Sequence, residues 1–306
     1  MTMMFRNLTL AASLAAMLSC TTAPSRQQAR AFATPEEAVK ALTDAVKAKR
    51  PEALTAVFGS EAQDLLDAGD PGAGQRARTV FKVAVAERWH LEDRGADKVL
   101  VIGNEDWPFP IPLVKSADGW RFDIAKGREE VLNRQVGRNE LGAIKVARTY
   151  VFAQRLYAKS GHDGKPAGLF ARTFRSEPGK QNGLYWVAAR GQRPSPLGDL
   201  VAEAAAEGRT VDKSRASQPF HGYYFRILTA QSAAAPDGAK NYLQNGDLAG
   251  GFALVAWPAQ YDVTGVMTFV INQDGRLFQK DLGPATDKTV PAITTYDPDS
   301  TWTPVQ

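Results

Sequence analysis

Apolar and polar positions alternate in short runs through the C-terminal part of the chain, and Gly, Asn or Asp separates one run from the next. Alternation in segments rich in aromatic and β-branched residues predicts antiparallel strands. Phe252, Leu254 and Ala256 then share one sheet face, and Ala253 and Val255 share the other. Strands are predicted at about residues 221–229, 250–257, 264–272 and 276–281, with a hairpin turn at 272–275.

Residues 139–159 instead show the period of a helix, with apolar side chains on two arcs of its circumference. A helix that is apolar over most of its circumference is nearly buried. We therefore expect this helix to pack across the predicted sheet. The first arc holds Ala143, Val146, Ala147, Tyr150, Val151 and Tyr157, the second holds Leu141, Phe152 and Leu156, and between them runs a basic stripe of Lys145, Arg148, Arg155 and Lys159.

The N-terminal part of the chain predicts paired helices and then a sheet. Thr34, Pro35 and Glu37 form the pattern of a capping box that starts the first helix, and a second is predicted at 52–58. Further expected elements are a loop at 69–74, strands at 80–89 and 99–103 (the first with a helix as the alternative), an extended segment at 107–113 and a hairpin turn at 118–119.

Together these patterns predict an α+β fold in two domains. The first covers residues 34–126 and the second residues 139–306, and residues 127–138 are expected to link them. The boundary is expected between Ala125 and Asn139, with Gly127 and Gly137 as flexible points. A short helix at 200–207 and an extended tail at 284–306 complete the second domain.

Residues 1–20 have the pattern of an export signal. The apolar run at 8–18 is too short to span a bilayer as a helix and ends at Cys20, the only cysteine. This arrangement resembles a bacterial lipobox, which implies that Cys20 is lipidated and that residues 21–33 form a flexible tether. Cleavage by ordinary signal peptidase is the alternative. We expect a lipid-anchored protein of the periplasm or outer membrane.

The charge pattern narrows the classes of partner. The net charge is +4 and the sequence pI is about 9.1, but the basic residues are scattered and form no block. Nucleic-acid binding requires a concentrated basic face, so no nucleic-acid partner is expected. The expected partners are the membrane, through the N-terminal lipid anchor, and another envelope protein.

No catalytic or metal-binding pattern stands out. The histidines, His90, His162 and His221, lie in different segments without a second His or Cys at metal-ligand spacing. Ser160, His162 and Asp163 are the residue types of a catalytic triad, but they lie too close together in the chain to adopt the geometry of a triad. We therefore predict no catalytic residue, no metal and no cofactor. The alternative is an acid–base pair of His90 and a nearby acid.

Four residues are candidates for contact with a partner. Trp107 and Phe109 lie on a stiff, proline-rich segment that could present them outward, and Arg148 and Arg155 belong to the basic stripe. The alternatives are that the two aromatic side chains cap their own core and that the stripe is a solvated edge.

Three resemblances add to this interpretation. Residues 34–126, whose last strand reads GWRFD, resemble the nuclear-transport-factor-2-like, cystatin-like folds, which include enzymes and inert modules alike. The helix at 139–159 followed by GGFALVAWP and TGVMTFVINQDGRL resembles the soluble head of type IV pilins and pseudopilins. In those proteins, however, the helix begins at the processed N-terminus, so a filament subunit is not expected. The mature chain, including WPFPIPLV, GRNELGAI and FHGYYFRILTAQ, resembles a family of uncharacterised exported bacterial proteins, the domain of unknown function 2950, which implies no activity.

We therefore expect an exported cell-envelope protein, a non-enzymatic lipoprotein that acts as a binding or assembly module. The alternative is a periplasmic enzyme with an acid–base site in the cone of the nuclear-transport-factor-2-like fold.

Overall fold

The computed structural model describes residues 28–48, 50–63, 65, 71–201 and 219–306. The chain divides into two units between Arg128 and Glu129. We call them the N-terminal unit and the C-terminal unit. Both combine helices with antiparallel sheets, so the predicted α+β class is confirmed. The export signal, Cys20 and most of the helix predicted at 200–207 lie outside the described residues.

Three helices cover one face of the sheet in the N-terminal unit: α1 (Pro35–Ala48), α2 (Pro51–Phe58) and α3 (Pro71–Glu87). The predicted cap of α1 forms, because the Thr34 hydroxyl accepts the Glu37 N–H at 3.2 Å. The Glu37 carboxylate reaches back and accepts the Ala33 N–H, also at 3.2 Å. Part of the expected tether is ordered too, since Phe32 and Trp120 exchange backbone hydrogen bonds of 2.8 Å.

The sheet of this unit contains β1 (Trp89–Arg94), β2 (Asp97–Ile102), β3 (Trp107–Pro108), β4 (Leu113–Ser116) and β5 (Gly119–Phe122). Its order is β1-β2-β4-β5, and β3 pairs with β2. Leu91, Leu100 and Ile102 point toward the helices and join their core. Because neighbouring residues of a strand point to opposite faces, His90 lies on the other face of the sheet.

Helix α3 confirms the helical alternative for the segment at 80–89 as far as Glu87, and it corrects the described part of the loop predicted at 69–74. Phe81 and Val85 are buried one turn apart, which is the spacing of a helix face. Val80 and Val83, within the segment predicted as a strand, are 66% and 57% exposed on this helix. Pro71 is the first helical residue, where its missing N–H costs nothing.

One helix, α4 (Ile124–Ala158), contributes residues to both units. Residues 127–138, expected as a linker, lie within it, and Gly127 and Gly137 are helical. Ile124 belongs to the core of the N-terminal unit, whereas Ala143, Tyr150 and Val151 belong to a core of the C-terminal unit. No helix among the described residues combines the length and apolar character needed to cross a bilayer.

The C-terminal unit is built on a five-stranded antiparallel sheet. The strands of this unit are β6 (Tyr223–Leu228), β7 (Ala230–Gln231), β8 (Lys240–Asn241), β9 (Leu243–Gln244), β10 (Asp247–Leu248), β11 (Ala253–Pro258), β12 (Met267–Asn272), β13 (Leu277–Asp281) and β14 (Thr303–Pro304). The order in the sheet is β14-β13-β12-β11-β6, while β7 pairs with β8 and β9 pairs with β10. The four longer strands lie within the predicted ranges or one residue beyond them.

Both faces of this sheet are covered. Leu254, Phe269 and Ile271 pack with the inner side of α4, as the alternation of the strands predicts. Val255 and Val270 point the other way into a second core that includes Val290 and Tyr296 from the C-terminal segment. That segment was expected to be extended, but it contains helix α5 (Thr286–Thr289) between two short 3-10 helices before β14 pairs with β13.

Candidate functional site

The outward-facing side of α4 between Arg138 and Lys159 carries two kinds of side chain. The exposed positions of this segment are basic or large and apolar, and none is acidic. We call these eight positions the outer face of α4: Arg138, Leu141, Lys145, Arg148, Phe152, Arg155, Leu156 and Lys159.

The second apolar arc of the helix, which was expected to be buried, lies on this outer face. Leu141 is 69% exposed, Phe152 is 65% exposed and Leu156 is 40% exposed. The five-stranded sheet covers one side of α4 only. The residues of the first arc are therefore buried in the core, and those of the second arc project outward. Apolar side chains are thereby interleaved with the basic stripe.

Two of the predicted contact residues, Arg148 and Arg155, belong to this face, and backbone oxygens hold their guanidinium groups. Arg155 donates to the carbonyl of Gln273 at 2.8 Å, and Arg148 donates to the main-chain oxygen of Gln306 at 2.6 Å. A neutral carbonyl orients a guanidinium without cancelling its charge. Arg155 therefore remains a fixed cation at the surface.

The N-terminal end of the outer face is fastened to the sheet by hydrogen bonds that the sequence interpretation missed. The Glu140 carboxylate accepts the N–H groups of Val266 and Met267 at 2.9 and 3.0 Å. Beside it, the Asn139 amide donates to the Thr264 carbonyl at 2.9 Å. These bonds hold this end of α4 on the sheet, with the first apolar arc facing the core.

Close glycine contacts complete this attachment. A Cβ at Gly142 would lie 2.8 Å from the His221 ring, and one at Gly265 would lie 2.1 Å from the Tyr223 hydroxyl. The segments NELG, HGYY and TGV therefore meet at one place. Burial and the nearby Glu140 carboxylate raise the pKa of Tyr223, whose hydroxyl donates to the Met267 carbonyl. This phenol is protonated at neutral pH and serves the fold, not nucleophilic chemistry.

His162 is buried and stacks on Tyr157, with ring centres 3.9 Å apart. Its Nε2 lies 2.9 Å from the Tyr157 carbonyl, which can only accept, so Nε2 carries the proton. The Ser160 hydroxyl is 3.4 Å from the same nitrogen. A protonated Nε2 cannot take a proton from serine, so this pair does not form a nucleophile and base.

His90 is half-exposed in the edge strand β1, on the sheet face opposite to the three helices. Its Nε2 is 3.3 Å from the Glu92 carboxylate, and the two side chains are 43% and 47% exposed. An exposed pair on an edge strand lacks the enclosing walls that position a substrate and exclude water. Within the described part of the chain, no group of three or more His, Cys, Asp or Glu residues could hold a metal ion.

The other two predicted contact residues differ from each other. Phe109 makes edge contacts with Phe81 and Phe122, at ring-centre distances of 5.4 and 6.2 Å, so its ring covers its own core. Trp107 is 45% exposed in the short strand β3. Phe109 therefore contributes little to the outer surface, whereas Trp107 presents an aromatic side chain to solvent.

An open cleft of about 830 Å³ lies in the N-terminal unit, with walls from α1, α2 and α3. Apolar side chains such as Val46 and Leu54 form one part of its lining, and Arg78, Lys82 and Glu87 form another. Most of these α3 side chains are exposed, so the cleft is a groove without an enclosed end. It brings together no pair of groups suited to acid–base catalysis.

Comparison with known proteins identifies a family without assigning an activity. A family model described as a protein of unknown function, DUF2950, matches residues 29–305. No curated protein and no solved structure matches the chain significantly.

Proposed function

We propose that this chain, which belongs to the DUF2950 family, is an exported cell-envelope protein that acts as a non-enzymatic binding module. Its contact surface is the outer face of α4. One observation carries the proposal: all eight exposed positions between Arg138 and Lys159 are basic or large and apolar. A face of this composition, held rigidly on a sheet, is suited to a negatively charged partner that also accepts apolar side chains.

Export and anchoring are parts of the same proposal and rest on the sequence pattern before residue 21. Lipidation of Cys20 would hold the two units close to a membrane. Mass spectrometry of the mature protein tests this part. A lipid-modified Cys20 at the new N-terminus supports the anchor, and an unmodified residue at another position contradicts it.

We further propose that the N-terminal unit is nuclear-transport-factor-2-like and that the C-terminal unit resembles a pilin head. Support comes from the helices α1, α2 and α3 on one face of the first sheet, and from α4 on a meander of strands in the second. An experimental structure of either unit with a measurable match to such a fold would support this assignment. The enzymatic alternative gains no support from the geometry of His90.

The binding proposal is tested with purified residues 28–306, which contain every described element but not Cys20. The protein is sedimented with envelope membranes from cells that lack it. Reversal of two cations, Lys145→Glu with Lys159→Glu, should lower the bound fraction several-fold. The matched control, Lys115→Glu with Lys288→Glu, changes the net charge equally at exposed positions outside the outer face. Equal binding by both variants would contradict the proposal.

A further inference from the structure

We infer that the outer face of α4 binds the surface of a bilayer that contains anionic phospholipids. This inference rests on the proposed function and names its partner. It concerns peripheral binding by the folded C-terminal unit, separate from any lipid attached to Cys20.

Charge is the first argument. Five of the eight side chains of the outer face are cationic, and its segment of α4 includes no exposed acid. The segment is about 32 Å long at the rise of an α-helix, so its cations are spread along a line. An anionic membrane surface attracts each Lys or Arg held near it. A continuous negative surface can meet all five cations at once, whereas an acidic side-chain cluster of a protein is local.

The spacing of the apolar side chains is the second argument. Leu141 lies three helical turns from Phe152, with Lys145 and Arg148 between them. Phe152 and Leu156 are neighbours one turn apart, but basic side chains separate this pair from Leu141. A protein interface concentrates its energy in one central, desolvated cluster. At the boundary between headgroups and acyl chains, apolar groups spread along the helix can each insert, while neighbouring Lys and Arg side chains extend to the phosphates.

The rigidity of the helix is the third argument. Amphipathic peptides that bind membranes lose conformational entropy when they fold there. Here Glu140 and Asn139 hold α4 on the sheet by hydrogen bonds of 2.9 to 3.0 Å, so the face is already ordered. Preorganisation removes part of the cost of binding. A small number of apolar contacts is then sufficient for reversible attachment.

The test measures flotation of residues 28–306 with two kinds of vesicle, phosphatidylcholine alone and an equal mixture of phosphatidylcholine and phosphatidylglycerol. We expect binding to the mixed vesicles only, with a decrease as salt is added. The pair Lys145→Glu with Lys159→Glu should weaken binding by at least about 25-fold, at about fivefold for each cation. The pair Lys115→Glu with Lys288→Glu should bind nearly as well as the wild type.

A second pair of variants tests insertion. Phe152→Ala with Leu156→Ala should lower partitioning by roughly tenfold or more, because buried apolar area is lost. Its control, Val80→Ala with Val187→Ala, removes apolar side chains that are 66% and 76% exposed elsewhere. All four positions are at the surface. Thermal melts by circular dichroism serve as the control that each variant is folded.

The outcomes separate the two proposals. Selective loss in the outer-face variants supports the inference. Absence of binding to mixed vesicles together with retained, outer-face-dependent binding to envelope membranes overturns the lipid assignment and leaves the proposed function in place. Absence of binding to both overturns both. Equal loss in the two charge-reversal pairs shows that net charge alone drives binding and also overturns the inference.

Discussion

The two units build their cores from different side chains. The N-terminal unit buries aliphatic residues and phenylalanines, and it contains no tyrosine. All eight tyrosines of the chain lie in the C-terminal unit. Every buried polar side chain among the described residues also lies there: Gln154, His162, Ser195, Gln231, Thr268, Asn272 and Thr286.

Part of the difference follows from how the C-terminal unit satisfies its backbone. Helices and strands pair their own N–H and C=O groups, whereas buried polar side chains take part in this pairing in the irregular segment that follows α4. The Gln154 amide replaces a missing strand by exchanging two hydrogen bonds of 2.8 Å with the backbone of Ala171. The Tyr157 hydroxyl donates to the Gln181 carbonyl at 3.0 Å in the same way. Gln154 and Tyr157 therefore satisfy backbone groups where regular structure is scarce, whereas Thr268 lies within β12 and does not have this role.

The largest effect should come from a charge in the core of the C-terminal unit. Val151 is 5% exposed within that core, so Val151→Asp places a carboxylate in apolar surroundings and should cost more than about 4 kcal/mol. We expect hydrogen exchange, read by mass spectrometry, to show lost protection in the C-terminal unit and retained protection in the N-terminal unit.

The adjacent residue provides the control for this prediction. Phe152 is 65% exposed, so Phe152→Asp should change the free energy of unfolding by no more than about 0.5 kcal/mol. Loss of protection in both units with Val151→Asp would show that they unfold as one cooperative body. Retained protection in both would show that this side of α4 is not a core.

Alkaline pH should act on the C-terminal unit alone through its tyrosines. Burial, together with Asp163 and Asp247, raises the pKa of Tyr157 to about 12. Burial likewise raises the pKa values of Tyr150, Tyr223, Tyr242 and Tyr296. A tyrosine whose pKa is raised in the folded state contributes its full stabilisation below the ordinary pKa of about 10. That stabilisation is lost as the pH rises toward the pKa of the folded state.

We therefore expect tyrosinate absorbance from these residues to develop together with loss of sheet circular dichroism as the pH rises above about 10. Tyr157→Phe removes one titrating group and should make the loss of stability with pH shallower. Complete titration of all eight tyrosines without a change in circular dichroism would contradict the proposed burial.

Removal of the Glu140 carboxylate should have a smaller effect, again in the C-terminal unit. Glu140→Ala leaves the Val266 and Met267 N–H groups without their acceptor and should cost about 2–3 kcal/mol. Glu140→Gln keeps an oxygen acceptor and should cost less. Urea unfolding measures both against Glu129→Ala, an exposed position of the same helix that should change little. Equal stability of all three variants would show that these hydrogen bonds do not hold α4.

The smallest effects should come from the three glycines of α4. A Cβ at Gly127 would lie 2.7 Å from Ile111 in the N-terminal unit, and one at Gly142 would lie 2.8 Å from His221 in the C-terminal unit. Alanine at either position should destabilise its own unit by about 1–3 kcal/mol.

A Cβ at Gly137 meets nothing within 4 Å, so Gly137→Ala should stabilise by up to about 1 kcal/mol. Hydrogen exchange in each unit measures these changes, and destabilisation by all three substitutions would contradict the packing described here.

Local patterns in the sequence determined much of the C-terminal unit. Alternation placed Leu254 and Phe269 on one sheet face and Val255 and Val270 on the other, and the two cores follow that division. The cap at Thr34 was equally local, because its hydrogen bonds span only a few residues. Patterns of this kind are readable because side-chain direction repeats with the period of the backbone.

Only the tertiary structure decided which apolar residues would be covered. Val80 and Val83 belong to a segment that was predicted as a strand, yet they are exposed on helix α3. Leu141 and Phe152 were expected to be buried, yet they are exposed on α4. A side chain is buried only where another element packs over it, and the sequence does not show where that element ends. The sheet covers the first apolar arc of α4, and the Glu140 carboxylate accepts the N–H of Val266, 126 residues later, at one end of that contact. Contacts between segments so far apart in the chain leave the second arc available to a partner.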